Sequence, residues 1–488
     1  MPEAPNERLR WAALAACAFV PRLAGAFLRR PWHDEYFTAW AARLPLGDLF
    51  AALRLDSGPP LPYLLAKLLA GLGVEPVAAA RAVSVAAGTA AVLLAARAAR
   101  GAFGARAGWW TGALLACHPL AVAWSCEGRA YALVLLAAAW AWDRIELLRR
   151  GGPGAVGLAL AVSLACWSHG LGMVLSLALA AVALTLAQPA RVRALAGVGA
   201  GLASHLPWLP VALHQPPAAV AWMAAAWQST PLAERLAAPV RLLSPVAAFA
   251  TAVDLPSSPP VVEALAAVVL AALIVTGCGT RAAARLALGV ALPTAGLGAL
   301  AFLGIPAFYP GRGEVLAIVP LFILAGTAAG SRRAGALAGA ALVCAGAATL
   351  ARAEHAWARS PAREEQRIAD AIRRSMPRGG VVIIGGYWQL GLGYHLDGPE
   401  RFDLVSYPFE AGLHPGWYDA ATDRPDPSDL AVIVRRLDAS RSPVAIVASP
   451  GFATARDLEQ LAASLGLRRA TPPAGAVLFL PSLPPGPG

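Results

Sequence analysis

The residues best suited to chemistry begin at His33-Asp34-Glu35, just past an apolar run at residues 11–28. Two adjacent carboxylates where a helix leaves a membrane sit at the boundary between water and lipid. A partly desolvated carboxylate there can act as a general base toward a hydroxyl. The plainer reading is an acidic loop in solvent. The same loop continues through Asp56-Ser57-Gly58-Pro59-Pro60-Leu61 to Lys67, the only lysine in the chain. A compact ammonium at an interface can pair with a phosphate, or it can simply reach back to the headgroups. Arg81 then stands with Ser84 and Gly88 at the start of a second apolar run. An arginine near a membrane boundary is costly unless it meets an anion or a headgroup, and its fork suits a lipid phosphate.

A later turn reads Ser125-Cys126-Glu127-Gly128-Arg129-Ala130-Tyr131. Glu127 and Arg129 can pair with each other or orient a substrate. His169 and Arg312, the latter in Tyr309-Pro310-Gly311-Arg312, fall in connections on the same side. No histidines stand at i, i+4 and no HExxH occurs, so no metal site is expected. Gly385-Gly386 lacks the company of a nucleotide loop, and no cofactor is expected.

These groups need elements to hold them, and composition says which. Hydrophobic residues make up 58% of the 488, charged residues 14%, and mean hydropathy is +0.57. A soluble chain carries about 25% charged residues. Apolar runs fall at 11–28, 77–96, 107–124, 130–148, 154–168, 171–187, 194–212, 260–279, 286–304, 314–330 and 334–351. They predict a polytopic α-helical membrane protein with about eleven transmembrane helices. Alternate connections carry arginines: Arg8 and Arg10; Arg97, Arg100 and Arg106; Arg149 and Arg150; Arg191 and Arg193; Arg281 and Arg285; Arg332 and Arg333. One threading puts all of these on the cytoplasmic side, with the N-terminus inside and the tail outside. Arg22, Arg29 and Arg30 crowd the Ala24-Gly25-Ala26 that resembles a cleavage site, so the first run reads as an uncleaved span. The net charge of +11 lies wholly in residues 1–351, spread over short loops. That is a topology signal, and it forms no stripe for nucleic acid.

Two outer connections are long. In the first, Tyr36 to Leu55 and Leu61 to Leu72 look like helices lying in the interface. The second, from about His214 to Pro259, holds Trp222 and Trp227 and reads as an interfacial or lid segment. From Arg352 the chain changes character. Ser360-Pro361 is expected to cap a helix reaching about Arg374. Strands are expected at 381–384, 443–449 and 476–480, with a helix at about 454–465. Residues 1–351 are therefore expected to be a membrane domain and residues 352–488 a small C-terminal α/β domain outside the cytoplasm. The six cysteines mostly fall inside apolar runs and read as small packing residues.

The arrangement resembles the GT-C glycosyltransferases, in particular the bacterial family-39-like branch of protein mannosyltransferases and aminoarabinose transferases. Asp34-Glu35 resembles the acidic pair of that family's first outer loop. Asp56 to Leu61 with Lys67 is similar to its Asp-x-His-Pro-Pro-Leu-Gly-Lys segment. Arg81, Ser84 and Gly88 match its Arg-x-x-Ser-x-x-x-Gly, and Ser125 to Tyr131 resembles its Ser-Gln-Glu-x-Arg-x-Tyr turn. Gly58 stands where the family has His, Lys67 lies further along than its lysine, and Cys126 replaces Gln.

The resemblance implies an inverting transfer of a sugar from a polyprenyl-phosphate donor to an extracytoplasmic hydroxyl in a bacterial inner (plasma) membrane. Asp34 would be the general base. Glu35, Asp56, Lys67, Arg81, Glu127, Arg129, His169 and Arg312 would bind substrate. The acceptor stays open between protein, glycolipid and polysaccharide; membrane lipids are the other partner. The rival readings are a transporter or lipid flippase of cell-envelope precursors, which would need ionisable residues near the midplane, and a scaffold whose tail binds a partner.

Overall fold

The structure is a computed structural model that describes residues 5–216, 219, 230–236, 259–303, 311–398, 400–416, 424–440, 442–470 and 476–481. Trp222 and Trp227 of the second long connection, and Tyr309-Pro310, lie outside these. Two compact units emerge. One comprises Met1–Arg29, Gly58–His214 and Val220–Ser360; the other comprises Arg30–Ser57, Gln215–Ala219 and Pro361–Gly488.

The helices begin with α1 (Pro5–Leu28), α2 (His33–Arg43), α3 (Leu46–Arg54), α4 (Leu61–Gly71), α5 (Pro76–Phe103), α6 (Ala105–Cys117) and α7 (Pro119–Cys126). They continue with α8 (Tyr131–Arg149), α9 (Ala155–Ser168), α10 (Leu171–Leu184), α11 (Ala190–Ala203), α12 (Leu209–His214) and α13 (Leu232–Leu236). Then come α14 (Pro260–Gly277), α15 (Arg281–Phe302), α16 (Val315–Ser331) and α17 (Arg333–Ala358).

The chain is helical over most of every expected run, among the described residues. Among the described residues, five helices are long and apolar enough to cross a membrane: Glu7–Leu28 within α1, then α5, α14, α15 and α17. The protein is a multi-pass membrane protein. Two expected runs are interrupted. The run at 107–124 breaks at His118-Pro119 between α6 and α7, and that at 194–212 breaks at a 3-10 turn, Leu206–Trp208.

Helix α5 is the centre of the membrane unit. Glu75 caps it, accepting from the backbone N–H of Val77 and Ala78 at 3.0 and 2.8 Å, and Pro76 needs no partner at the first position. Gly104, at φ +95°, ends it. Buried alanines such as Ala87, Ala91, Ala95 and Ala99 let α1, α6 and α8 approach closely.

In the other unit, α18 (Glu364–Ser375), α19 (Gln389–Leu396), α20 (Pro427–Ser440) and α21 (Ala455–Ser464) accompany a five-stranded sheet. Its strands are β1 (Gly380–Ile384), β2 (Phe402–Ser406), β3 (Val444–Ala448), β4 (Arg468–Ala470) and β5 (Val477–Leu480), in the order β2-β1-β3-β5-β4. Strand β1 runs parallel to β2 and β3, and β5 is antiparallel to β3 and β4. Val381 and Ile383 enter one core with Ile446 and Leu458; Val382 and Ile384 enter another with Ile368 and Ile372. Burial on both faces explains the continuous apolar run of β1. Helix α18 starts at Glu364, later than the Ser360 cap expected from sequence. Ser360 Oγ instead donates back to Ala356 O at 3.1 Å and helps close α17.

Candidate active site

Start with Arg81, Ser84 and Gly88, which share one face of α5 at i, i+3 and i+7. Arg81 Nη1 donates to Ala26 O at 2.6 Å and Arg29 O at 2.8 Å. It thereby satisfies carbonyls that the end of α1 leaves without helical partners. Ser84 Oγ donates to Arg129 O at 3.3 Å. A Cβ on Gly88 would lie 2.0 Å from Ser125 Oγ, so only glycine lets α7 pack here. Three positions of one helix face thus hold the end of α1 and the turn from Ser125 to Arg129.

That turn carries Glu127. Its carboxylate takes the Arg29 guanidinium at 2.9 Å, with both side chains nearly buried. Arg29 also lies over the Trp357 ring, 5.4 Å from its centroid. On the far side of the turn, Tyr131 opens α8. Arg312 lies 5.8 Å over its ring, and His169 stacks against it at 5.4 Å. His169 Nδ1 accepts from Leu171 N–H at 3.1 Å, which leaves Nε2–H as the donor of the neutral ring. Burial, then the charges of Arg129 and Arg312, push its imidazole down to about 3, so it stays neutral at physiological pH. Arg129, Arg312 and a neutral imidazole donor make a region that favours anions.

Arg312 is placed by its own turn. Trp124 Nε1 donates to Gly311 O at 2.7 Å, and Gly311 N–H donates to Glu314 Oε1 at 2.8 Å. Glu314, in the turn before α16, is fully buried. Burial raises its carboxyl to about 7 against the hydrogen bond from Gly311.

Arg22 lies about two helical turns before Arg29 and is fully buried. Pro119 has no N–H to offer Leu115 O, so the break between α6 and α7 strands carbonyls inside the unit. Arg22 fills them, donating to Leu115 O and Ala116 O at 3.3 Å each and to Ala18 O at 2.7 Å. In the sequence Arg22 and Arg29 counted only as charges crowding a would-be cleavage site. The missed signal was an arginine inside an apolar run, which must find acceptors.

The acids of the first loop belong to the other unit. Asp34 and Glu35 occupy the first turn of α2, where the N-terminal N–H groups favour carboxylates. The pair is unequal: Asp34 is partly exposed, whereas Glu35, 1% exposed, is buried. Helix α2 is held along its length. His33 Nε2 lies 3.1 Å from Gly416 O, Tyr36 Oη 2.9 Å from His395 Nε2, and Arg43 Nη1 3.0 Å from Asp397 Oδ2. Burial, then Glu365, raises the Tyr36 phenol, and burial lowers His395, so the phenol donates to a neutral ring. Asp56 acts on His414 in the same unit. Lys67, partly buried on α4, belongs to the membrane unit with Arg81, Glu127, Arg129, His169 and Arg312.

No family model and no curated protein matches this chain. Solved structures do. The chain is similar to ArnT from Cupriavidus metallidurans bound to undecaprenyl phosphate, with a TM-score of 0.63 and 16% identity over 98% of both chains. The chain has the GT-C fold. It is also similar to the apo oligosaccharyltransferase of Archaeoglobus fulgidus, with a TM-score of 0.50 and 12% identity, over 92% of this chain and 70% of that one.

Proposed function

We propose that this GT-C protein is a membrane glycosyltransferase that moves a sugar from a polyprenyl-phosphate donor to an extracytoplasmic acceptor hydroxyl, with inversion. The observation that carries the reading is the fold, which spans nearly the whole length of an ArnT chain bound to undecaprenyl phosphate. The anion-favouring region around Arg129, Arg312 and His169 supports it. So does the partly exposed carboxylate of Asp34.

In this mechanism the acceptor oxygen attacks the anomeric carbon and its proton passes to Asp34. The bond from the anomeric carbon to the phosphate oxygen breaks. The lipid phosphate leaves with the bonding pair, and nearby arginines stabilise its charge. Glu127 and Arg81 act on the protein itself, holding Arg29 and the end of α1. Glu35, Asp56 and Lys67 remain candidate substrate contacts.

The transporter reading draws no support from charge placement. The Arg97–Asp143 pair sits near the arginine-bearing ends of α5 and α8, and Arg22 is engaged by carbonyls. The test is Asp34→Asn in membranes supplied with labelled polyprenyl-phosphate sugar. Loss of a base should cut transfer by about 100-fold or more. Turnover like the wild type would remove Asp34 from the mechanism.

A further inference from the structure

Away from this site, the arginine-bearing ends of the membrane helices form a second charged cluster. Glu146, on α8, accepts from Arg149 Nε and Nη2 and from Arg150 Nε, each at 2.7 Å. One carboxylate thus serves two guanidiniums. The other arginines on this end of α5 and α8 are matched too: Arg97 and Arg144 pair with Asp143, and Arg100 pairs with Glu7.

Arg285, on α15, is different. It is half-buried, the charges acting on it are Arg149 and Glu146, and it makes no ion pair among the described residues. Three arginines therefore share one carboxylate, and Arg285 lacks a counter-charge of its own.

Arg285 and Glu146 line a groove between α5, α8, α15 and α16 whose wall is Ala98, Ala102, Ile145, Leu286 and Ile323. The groove's wall is apolar, and its charged lining is Arg285 with Glu146, a carboxylate already engaged by Arg149 and Arg150. Arg285 and Glu146 lie near the arginine-bearing connections that the sequence assigns to the headgroup level of the anionic cytoplasmic leaflet. We propose that this groove binds an anionic phospholipid, with the phosphate against Arg285 and Arg149 and an acyl chain along the apolar wall. The phosphate supplies the charge that Arg285 lacks, and the wall explains why a lipid is favoured over a free ion. The proposal does not depend on the catalytic reading.

The experiment is thermal unfolding of the full-length protein in detergent, with phosphatidylglycerol, phosphatidylcholine or inorganic phosphate added separately. Phosphatidylglycerol should raise the melting temperature well beyond phosphatidylcholine, and inorganic phosphate should leave it unchanged. Arg285→Ala should lose most of that rise, whereas Arg281→Ala, exposed on the same helix, should keep it. Equal rises with the two lipids, the same rise with inorganic phosphate, or a full rise in Arg285→Ala would each overturn the proposal. Should Arg285→Ala not fold, Arg285→Gln gives the same reading, and the lipid comparison on wild-type protein stands alone.

Discussion

At the scale of single residues, the structure turns on charges removed from water. Arg29 and Glu127 are a nearly buried pair, 2.9 Å apart, at the end of α1 and the end of α7. Removing one partner disturbs a nearly buried charge cluster, and the loss should exceed the roughly 1 kcal/mol or less that an exposed pair is worth. Glu127→Gln should therefore lower thermal stability strongly. Arg29→Gln combined with Glu127→Gln should cost less than the sum of the two singles, read by unfolding in detergent. Glu314 makes a pH-dependent contribution. Its carboxyl is raised from 4.5 to about 7, chiefly by burial. The fold thus favours its protonated form. That stabilisation is complete below pH 4.5 and is lost as pH rises through about 7. Glu314→Gln, which stays neutral, should flatten the fall in melting temperature between pH 5 and pH 7 (about these bounds). An unchanged slope would show that Glu314 is not the titrating group.

At the scale of elements, glycines and one helix face set how closely α1, α5 and α7 approach. A Cβ on Gly88 would meet Ser125 Oγ at 2.0 Å and Ser125 Cβ at 2.5 Å. Gly88→Ala should then cost about 1–3 kcal/mol through overpacking. Adding Ser125→Gly removes both opposing atoms and should recover much of the loss; failure to recover would place the strain elsewhere. The spacing of Arg81, Ser84 and Gly88 was legible in the sequence as one helical face. What that face touches was not, because the Ser125–Arg129 turn is some 40 residues away and periodicity carries no such information. The same limit hid Arg22 against Leu115 and Arg29 against Glu127. Strands β1, β3 and β5 were legible because both faces are buried and the runs are apolar. Strand β4, Arg468–Ala470, is an exposed edge of three residues, and β2 opens Phe402-Asp403, so neither shows an apolar run.

At the scale of the whole molecule, the chain does not divide at one point. Residues Arg30–Ser57 of the first loop group with Pro361–Gly488, although hundreds of residues separate them. Three polar contacts bind α2 to that late segment: His33 to Gly416, Tyr36 to His395 and Arg43 to Asp397. Phe37 adds a ring contact with His414 at 5.0 Å. Helix α2 has only 11 residues, about one turn short of the roughly 15 residues at which an isolated helix becomes even marginally stable. Its order must therefore come from packing on its partner segment. Removing the chain after Ser360 takes all of these partners away. Trypsin should then cut the truncated protein at Arg43 and Arg54 much faster than the full-length protein, while the 58–214 region stays protected. Equal cleavage rates at Arg43 would mean that α2 holds its shape without the tail. The same truncation should abolish sugar transfer, because the partly exposed Asp34 lies in the first turn of the helix that the tail keeps in place.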